Sequence, residues 1–217
     1  MNATAASITP SLTGFNRLFR LPLDLIAFGL LLILGSAHLV GVPTHNALVF
    51  LPTAVADGQW WRLFTYPFVH ASLYHLALDA GAFFLLYTGL SDRRTGRRLI
   101  SLMICNAFSL GTVVLTTPAV ETLGLCGLSG VGHGLMALSA LEMAASDRGR
   151  DDRRIGVVCL TLTVTKSIYE AVTGNVFFDF GLCGTPLALS HAGGVLGGIA
   201  AWLIWRGIDR HGIHSDD

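Results

Sequence analysis

Six apolar runs of about twenty residues, with the charges gathered between them, limit what this chain can become. They are Leu23–Val42, Pro67–Leu90, Leu99–Pro118, Gly127–Ala145, Ile155–Thr173 and Leu187–Trp205. A helix of ~20 apolar residues matches the ~30 Å hydrocarbon core of a bilayer. Of the 217 residues only 13% are charged while 52% are hydrophobic; an average globular domain carries roughly 25% charged residues. The expected fold class is therefore an all-α membrane protein with six transmembrane helices. The centre of the first run, Leu25–Leu34, has the look of a signal-peptide core, and Gly35-Ser36-Ala37 would pass for a cleavage site. The full run is long enough to cross a bilayer and is read as a span. Pro43–Tyr66 is less apolar and holds Asp57-Gly58-Gln59-Trp60-Trp61-Arg62, whose paired tryptophans suit a membrane–water interface.

Lys and Arg set the orientation. Twelve of the 14 basic residues fall before the first span, between the second and third, between the fourth and fifth, or after the sixth. These are Arg17 and Arg20; Arg93, Arg94, Arg97 and Arg98; Arg148, Arg150, Arg153 and Arg154; and Arg206 and Arg210. Arg62 alone occupies a loop on the other side, and Lys166 lies within a span. Both termini are thus expected in the cytoplasm. Residues 1–20 read as a short cytoplasmic lead, 21–207 as the membrane domain and 208–217 as a cytoplasmic tail. A net charge of +0 argues against a nucleic-acid partner; lipids are the surroundings.

On this topology the second, fourth and sixth spans all begin at the outer side. The fourth opens on Gly127-Leu-Ser-Gly-Val-Gly-His-Gly134, and the sixth on His191-Ala-Gly-Gly-Val-Leu-Gly-Gly198. Small residues four apart (Gly130 with Gly134, Gly193 with Gly197, Gly194 with Gly198) make flat strips that let membrane helices approach closely. Close backbones would let the short Ser129 reach an imidazole on another helix. His75, about eight residues into the second run, lies at similar depth. A serine hydroxyl needs a base to attack a carbonyl, and neutral His191 can take the proton and return it to a leaving amine. No acidic residue stands beside His191, so a Ser–His dyad is the economical reading. A buried serine and histidine bonding between helices is the plainer alternative.

Other residues join the constellation. His70-Ala-Ser-Leu-Tyr-His75-Leu-Ala-Leu-Asp79 opens the second span, with His75 and Asp79 on one helix face. Acyl transfer needs donors aimed at an oxyanion, and His75 and the Ser129 backbone N–H could supply them. His70 also reads as an interfacial or packing residue. His133 shares the face of Ser129 and would tune the site or bond a neighbouring helix. Lys166 and Glu170, i and i+4 in the fifth span, can neutralise one another, a structural role. Cys126 and Cys183 fall in the two outer loops before the fourth and sixth spans. An oxidising compartment would permit a disulfide joining the serine and histidine loops, while two free thiols are the alternative. No HExxH or CxxC spacing occurs, so neither metal nor cofactor is expected.

These residues resemble the rhomboid family of intramembrane serine proteases over roughly Trp60 to Trp205. The pattern GxSGxxxG is met by Gly127, Ser129, Gly130 and Gly134, and HxxGxxxG by His191, Gly194 and Gly198. His70 and His75 meet most of HxxxxHxxxN, and Trp61-Arg62 is similar to the WR element of the first outer loop. The resemblance implies a six-helix rhomboid-like bundle, Ser129 as nucleophile, His191 as base and His75 in an oxyanion hole. Asp79 departs from the usual Asn. An ionised Asp would repel an oxyanion and a protonated one would donate to it, so an inactive homologue, binding transmembrane helices as an adaptor, stands as the alternative. A small transporter using Lys166 and Glu170 is a third reading.

Within the family, Gly127–Leu135 with His133, and Lys166-Ser-Ile-Tyr-Glu170, are similar to the rhombosortase branch. That resemblance implies a multi-pass protein of the bacterial inner membrane whose site faces the periplasm. Its substrates would be exported proteins with a C-terminal GlyGly-CTERM anchor: a Gly-Gly motif, a hydrophobic helix and a basic end. Glycines near the membrane surface unwind at little cost and expose a peptide bond. A hydrated outer cavity must then let water reach Ser129.

Overall fold

The computed structural model describes residues 22–147 and 149–212. The expected cytoplasmic lead, with Arg17 and Arg20, lies outside the described residues, as do Arg148 and residues 213–217. Six longer helices form the frame: α1 Leu23–Gly35, α2 Leu73–Gly89, α3 Thr95–Thr116, α4 Ser129–Ala144, α5 Arg150–Thr173 and α6 Leu189–Gly212. Short helical turns fill the segment between α1 and α2. No strand occurs among the described residues, only an isolated antiparallel bridge between Phe50 and Leu125. Among the described residues the chain is all-helical, and each of the six longer helices overlaps one of the apolar runs.

The uniform span length does not carry over. α3 and α5 are each long and apolar enough to cross a bilayer. The second run passes only when Arg62–Phe68 is joined to α2, and the two are bent by 100°. Residues 69–72 break the helix there, and Ser72 caps α2 by accepting from the His75 N–H at 3.1 Å. α1 stops after 13 residues, ~20 Å at 1.5 Å per residue, because the chain turns into a 3-10 segment at Ala37. α4 has 16 residues. α5 starts before, and α6 continues past, the apolar part of its run.

Glycine decides how the helices meet, and α6 lies between α3 and α4. A Cβ at Gly193 would meet the Phe108 carbonyl oxygen at 2.6 Å, and one at Gly197 would meet the Cys105 Cα at 2.7 Å. On the adjoining strip, Cβ atoms at Gly194 and Gly198 would run into the carbonyl oxygens of Gly130 and Gly134. The two glycine pairs of α6 therefore seat it against two neighbours at once. At the opposite end of the molecule from the glycine-led helix starts, α1, α2 and α3 share a buried polar cluster. The Tyr87 hydroxyl donates to Asp24 Oδ2 at 2.6 Å, and the Arg98 guanidinium lies 3.8 Å from the Tyr87 ring centre.

The Trp61-Arg62 pair clamps the segment between α1 and α2. Trp61 Nε1 donates to the Ala47 carbonyl at 3.0 Å. Arg62, buried, donates to Gln59 Oε1 at 2.8 Å, to the Asn46 carbonyl at 2.7 Å and to the Val49 carbonyl. One planar fork serves three acceptors, which a lysine's point charge does not reproduce. Arg62→Lys is expected to lower the thermal unfolding temperature in detergent nearly as far as Arg62→Ala does. A lysine variant melting like wild type would contradict this role.

Candidate active site

The first turns of α2, α4 and α6 converge. Ser129 is the first residue of α4, and His191 the third of α6. His75 is the third residue of α2, not the eighth of a span, because the run counted from Pro67 includes the bend. Ser129 Oγ lies 2.9 Å from His191 Nε2. Both side chains open on a cavity of about 420 Å³ that His75, Asp79, His133 and Lys166 also line. His191 is buried, whereas Ser129 is half-buried and reaches the cavity.

A carboxylate does stand beside His191, contrary to the dyad reading from sequence. Glu170 Oε2 is 2.7 Å from His191 Nδ1. Glu170 is fully buried, and its Oε1 accepts from Lys166 Nζ at 2.7 Å and from the Phe177 N–H at 2.8 Å. Lys166 Nζ also contacts His133 Nε2 at 2.7 Å, and His133 Nδ1 lies 2.7 Å from the carbonyl oxygen of Ser129. The His133 and His191 rings stack, with centres 4.0 Å apart and planes 10° from parallel.

The donor inventory fixes the protons. An ammonium only donates and a carbonyl only accepts, so His133 carries its proton on Nδ1. A carboxylate accepts, so a neutral His191 would carry its proton on Nδ1 and offer a bare Nε2 to the Ser129 hydroxyl. That is the tautomer a general base needs. His133, Glu170 and His191 each place a ligand atom within 4.8 Å of the others, a set a metal could use. The Lys166 ammonium already contacts two of the three, and a metal would have to displace it.

Across the cavity, His70, His75 and Asp79 are all buried. Asp79 Oδ2 is 3.4 Å from His70 Nε2 and 3.3 Å from His75 Nε2. The Ala71 N–H donates to His75 Nδ1 at 3.3 Å, leaving the His75 proton on Nε2. The Ser36 hydroxyl gives its hydrogen to the Phe68 carbonyl at 3.0 Å, so His70 Nδ1 must donate to Ser36 Oγ at 3.1 Å. His70 Nε2 and Asp79 Oδ2 thus face each other at 3.4 Å. Gly127, at φ +101°, lies over this group, and a Cβ there would meet His75 Nε2 at 2.8 Å and Asp79 Oδ2 at 3.2 Å. The serine segment and the α2 histidines thus touch through a residue that only glycine can supply.

The cavity is covered by residues between α5 and α6, including Phe177 and Phe178. Tyr74 and Ser72 donate to the carbonyls of Phe178 and Leu182 at 2.8 and 2.6 Å. Phe178 and Phe180 have φ of 66° and 46°, strained values for bulky side chains.

Cys126 and Cys183 both line the cavity, but as free thiols, so the structure lacks the disulfide weighed from sequence. Burial pushes each thiol up to about 11. Near pH 8 only about one thiol in a thousand would be ionised, and the thiolate is the reactive form. Both cysteines are expected to alkylate slowly in the folded protein and fully after denaturation without reductant. Mass spectrometry of alkylated peptides reads this directly; a Cys126–Cys183 bridged peptide would contradict it.

The rhomboid domain matches residues 57–207 of the chain, from the segment ahead of α2 into α6. "Putative rhomboid protease YdcA" of Bacillus subtilis (strain 168) is 24% identical over 152 residues, 66% of this chain and 75% of the relative. The matched region contains Ser129, His133, Lys166, Glu170 and His191, on an all-helical frame with spans apolar enough for a bilayer. The chain is an integral membrane protein of the rhomboid family.

Proposed function

We propose that this protein is an intramembrane serine endopeptidase with Ser129 as nucleophile and His191 as general base. The observation that carries the reading is the 2.9 Å contact between Ser129 Oγ and His191 Nε2, with the Glu170 carboxylate on the other ring nitrogen. Attack on a peptide carbonyl would place the oxyanion near the N-terminus of α4, where unpaired N–H groups and the helix dipole favour negative charge. His75 faces the same cavity and would donate from Nε2. Asp79 Oδ2 lies 3.4 and 3.3 Å from the Nε2 atoms of His70 and His75, which would offset its charge toward the oxyanion, so Asp79 in place of Asn is compatible with activity. This weakens the adaptor alternative, whose motive was that residue. A transporter would leave the serine–histidine contact without a purpose.

The proposed setting is six spans with both termini cytoplasmic and the site toward the periplasm of a bacterial inner membrane, following the charge distribution. The short α1 and α4 would suit a locally thinned bilayer. The proposed substrates are membrane-anchored proteins cleaved at a C-terminal GlyGly-CTERM anchor. Small residues at the scissile bond suit a cavity crowded by His133, Met136 and the covering phenylalanines. The test is a liposome reporter carrying Gly-Gly, a hydrophobic helix and a basic end, beside a Leu-Leu counterpart. Cleavage of the first alone, lost in Ser129→Ala, is expected. Equal cleavage of both would remove the substrate assignment, and binding without cleavage would favour the adaptor.

A further inference from the structure

We propose that Glu170 is a positioning residue for His191, held in place by a closed ring of side chains that returns to the nucleophile; this rests on Ser129 being that nucleophile. The ring runs from Ser129 Oγ to His191, Glu170, Lys166 and His133, and from His133 back to the Ser129 carbonyl, with links of 2.9, 2.7, 2.7, 2.7 and 2.7 Å. It joins α4, α5 and α6. A Lys–Glu pair that merely neutralised itself one turn apart would need a single carboxylate oxygen. Here the second oxygen is turned to a histidine 21 residues further on. A carboxylate with no exposed surface at membrane depth is costly unless it is paired and fully bonded. Glu170 has three donors on its two oxygens, from Lys166, Phe177 and His191.

The division of labour follows from the proton positions. As Ser129 Oγ bonds to the substrate carbonyl carbon, the carbonyl π pair moves to oxygen and the hydroxyl proton passes to His191 Nε2. The Nδ1 proton stays on His191, and the new imidazolium faces the Glu170 carboxylate at 2.7 Å. Collapse breaks the C–N bond and the Nε2 proton leaves with the amine. Water then repeats the sequence on the acyl-enzyme. Glu170 never takes a proton; it holds the productive tautomer and offsets the charge. Lys166, with 25% of its side chain exposed to the cavity, keeps Glu170 paired. His133 stays neutral because it accepts from Lys166, so its ring can lie flat against His191 without like-charge repulsion when His191 becomes cationic.

The test uses fluorophosphonate inactivation kinetics and the low-field proton NMR spectrum of the full chain in detergent. Glu170→Gln is expected to leave the inhibitor's binding constant unchanged and to slow the bonding step by roughly a hundredfold to ten-thousandfold, because an amide can donate to Nδ1 and reverse the tautomer. The far-downfield Nδ1 proton signal, identified by its loss in His191→Ala, disappears with it. Glu170→Asp keeps the carboxylate and recovers part of both. Lys166→Met combined with Glu170→Gln removes the ion pair as a unit, so no unpaired charge is left on the buried side, and it is expected to show the same slow bonding step in protein whose unfolding temperature is measured alongside. A double variant reacting within about threefold of wild type, or a downfield signal that survives Glu170→Gln, would overturn the inference. Reaction that persists in Ser129→Ala would instead overturn the protease reading; dependence on Ser129 without dependence on Glu170 would overturn this inference alone.

Discussion

Ser129→Ala and His191→Ala are each expected to abolish cleavage of a membrane-anchored reporter, with the double variant no slower than either single one. The expected loss is about 10³-fold to 10⁶-fold, the range seen when members of a catalytic unit are removed one at a time. Alanine at 129 leaves no oxygen to attack. Alanine at 191 leaves a hydroxyl whose proton has no acceptor at 2.9 Å and whose nucleophilicity is then that of a free alcohol. Ser129→Ala removes a single hydroxyl and is expected to keep its thermal unfolding profile, whereas His191→Ala leaves a cavity and takes one donor from buried Glu170, so its unfolding temperature falls and its rate is read per folded protein. Cleavage rates in liposomes, normalised to folded protein, check this. Losses that multiply in the double variant would mean that the two side chains act independently, and the proposed proton transfer between them would fall.

Gly194→Val is expected to be as damaging as loss of the nucleophile, though it touches no substrate. Its Cβ would overlap the Gly130 carbonyl oxygen. That oxygen belongs to backbone one residue after Ser129, so no side-chain rotation relieves the overlap and α4 and α6 must separate. Overpacking of this kind costs about 3 kcal/mol or more, a fall of roughly 10 °C in unfolding temperature for a chain of this size. Any separation also opens the contact between Ser129 and His191, so activity is lost even in protein that stays folded. The control lies on the same helix: Gly207 has no atom within 4 Å of an added Cβ, and Gly207→Ala should unfold and react like wild type. Activity and stability retained in Gly194→Val would refute the packing argument.

The site divides according to how much of it is local in sequence. Ser129, Gly130, Gly134, His191, Gly194 and Gly198 were readable because helical spacing repeats the same small residues at i and i+4, and that geometry holds wherever the helix goes. The opposed strip, Gly193 with Gly197, is equally regular, but the spacing alone does not say that it meets a third helix. Glu170 was hidden by a sufficient local explanation: Lys166 one turn away satisfied it on paper. Which way its second oxygen turns depends on the path of the α5–α6 connection. The cysteines stayed open between a bond and two free thiols, since sharing one end of the molecule fixes proximity but not a bond. Span lengths were read as uniform because hydropathy does not register a bend. The turn at residues 69–72 depends on Ser72 capping α2 and on Arg62 holding the preceding loop.

The most direct measurement is fluorophosphonate labelling of the purified protein in lipid, with the modified peptide mapped by mass spectrometry. The account predicts one adduct, on Ser129, absent from Ser129→Ala and His191→Ala. Well-folded wild-type protein that takes no label in lipid, or takes it on another residue, would contradict the claim that Ser129 is an activated nucleophile.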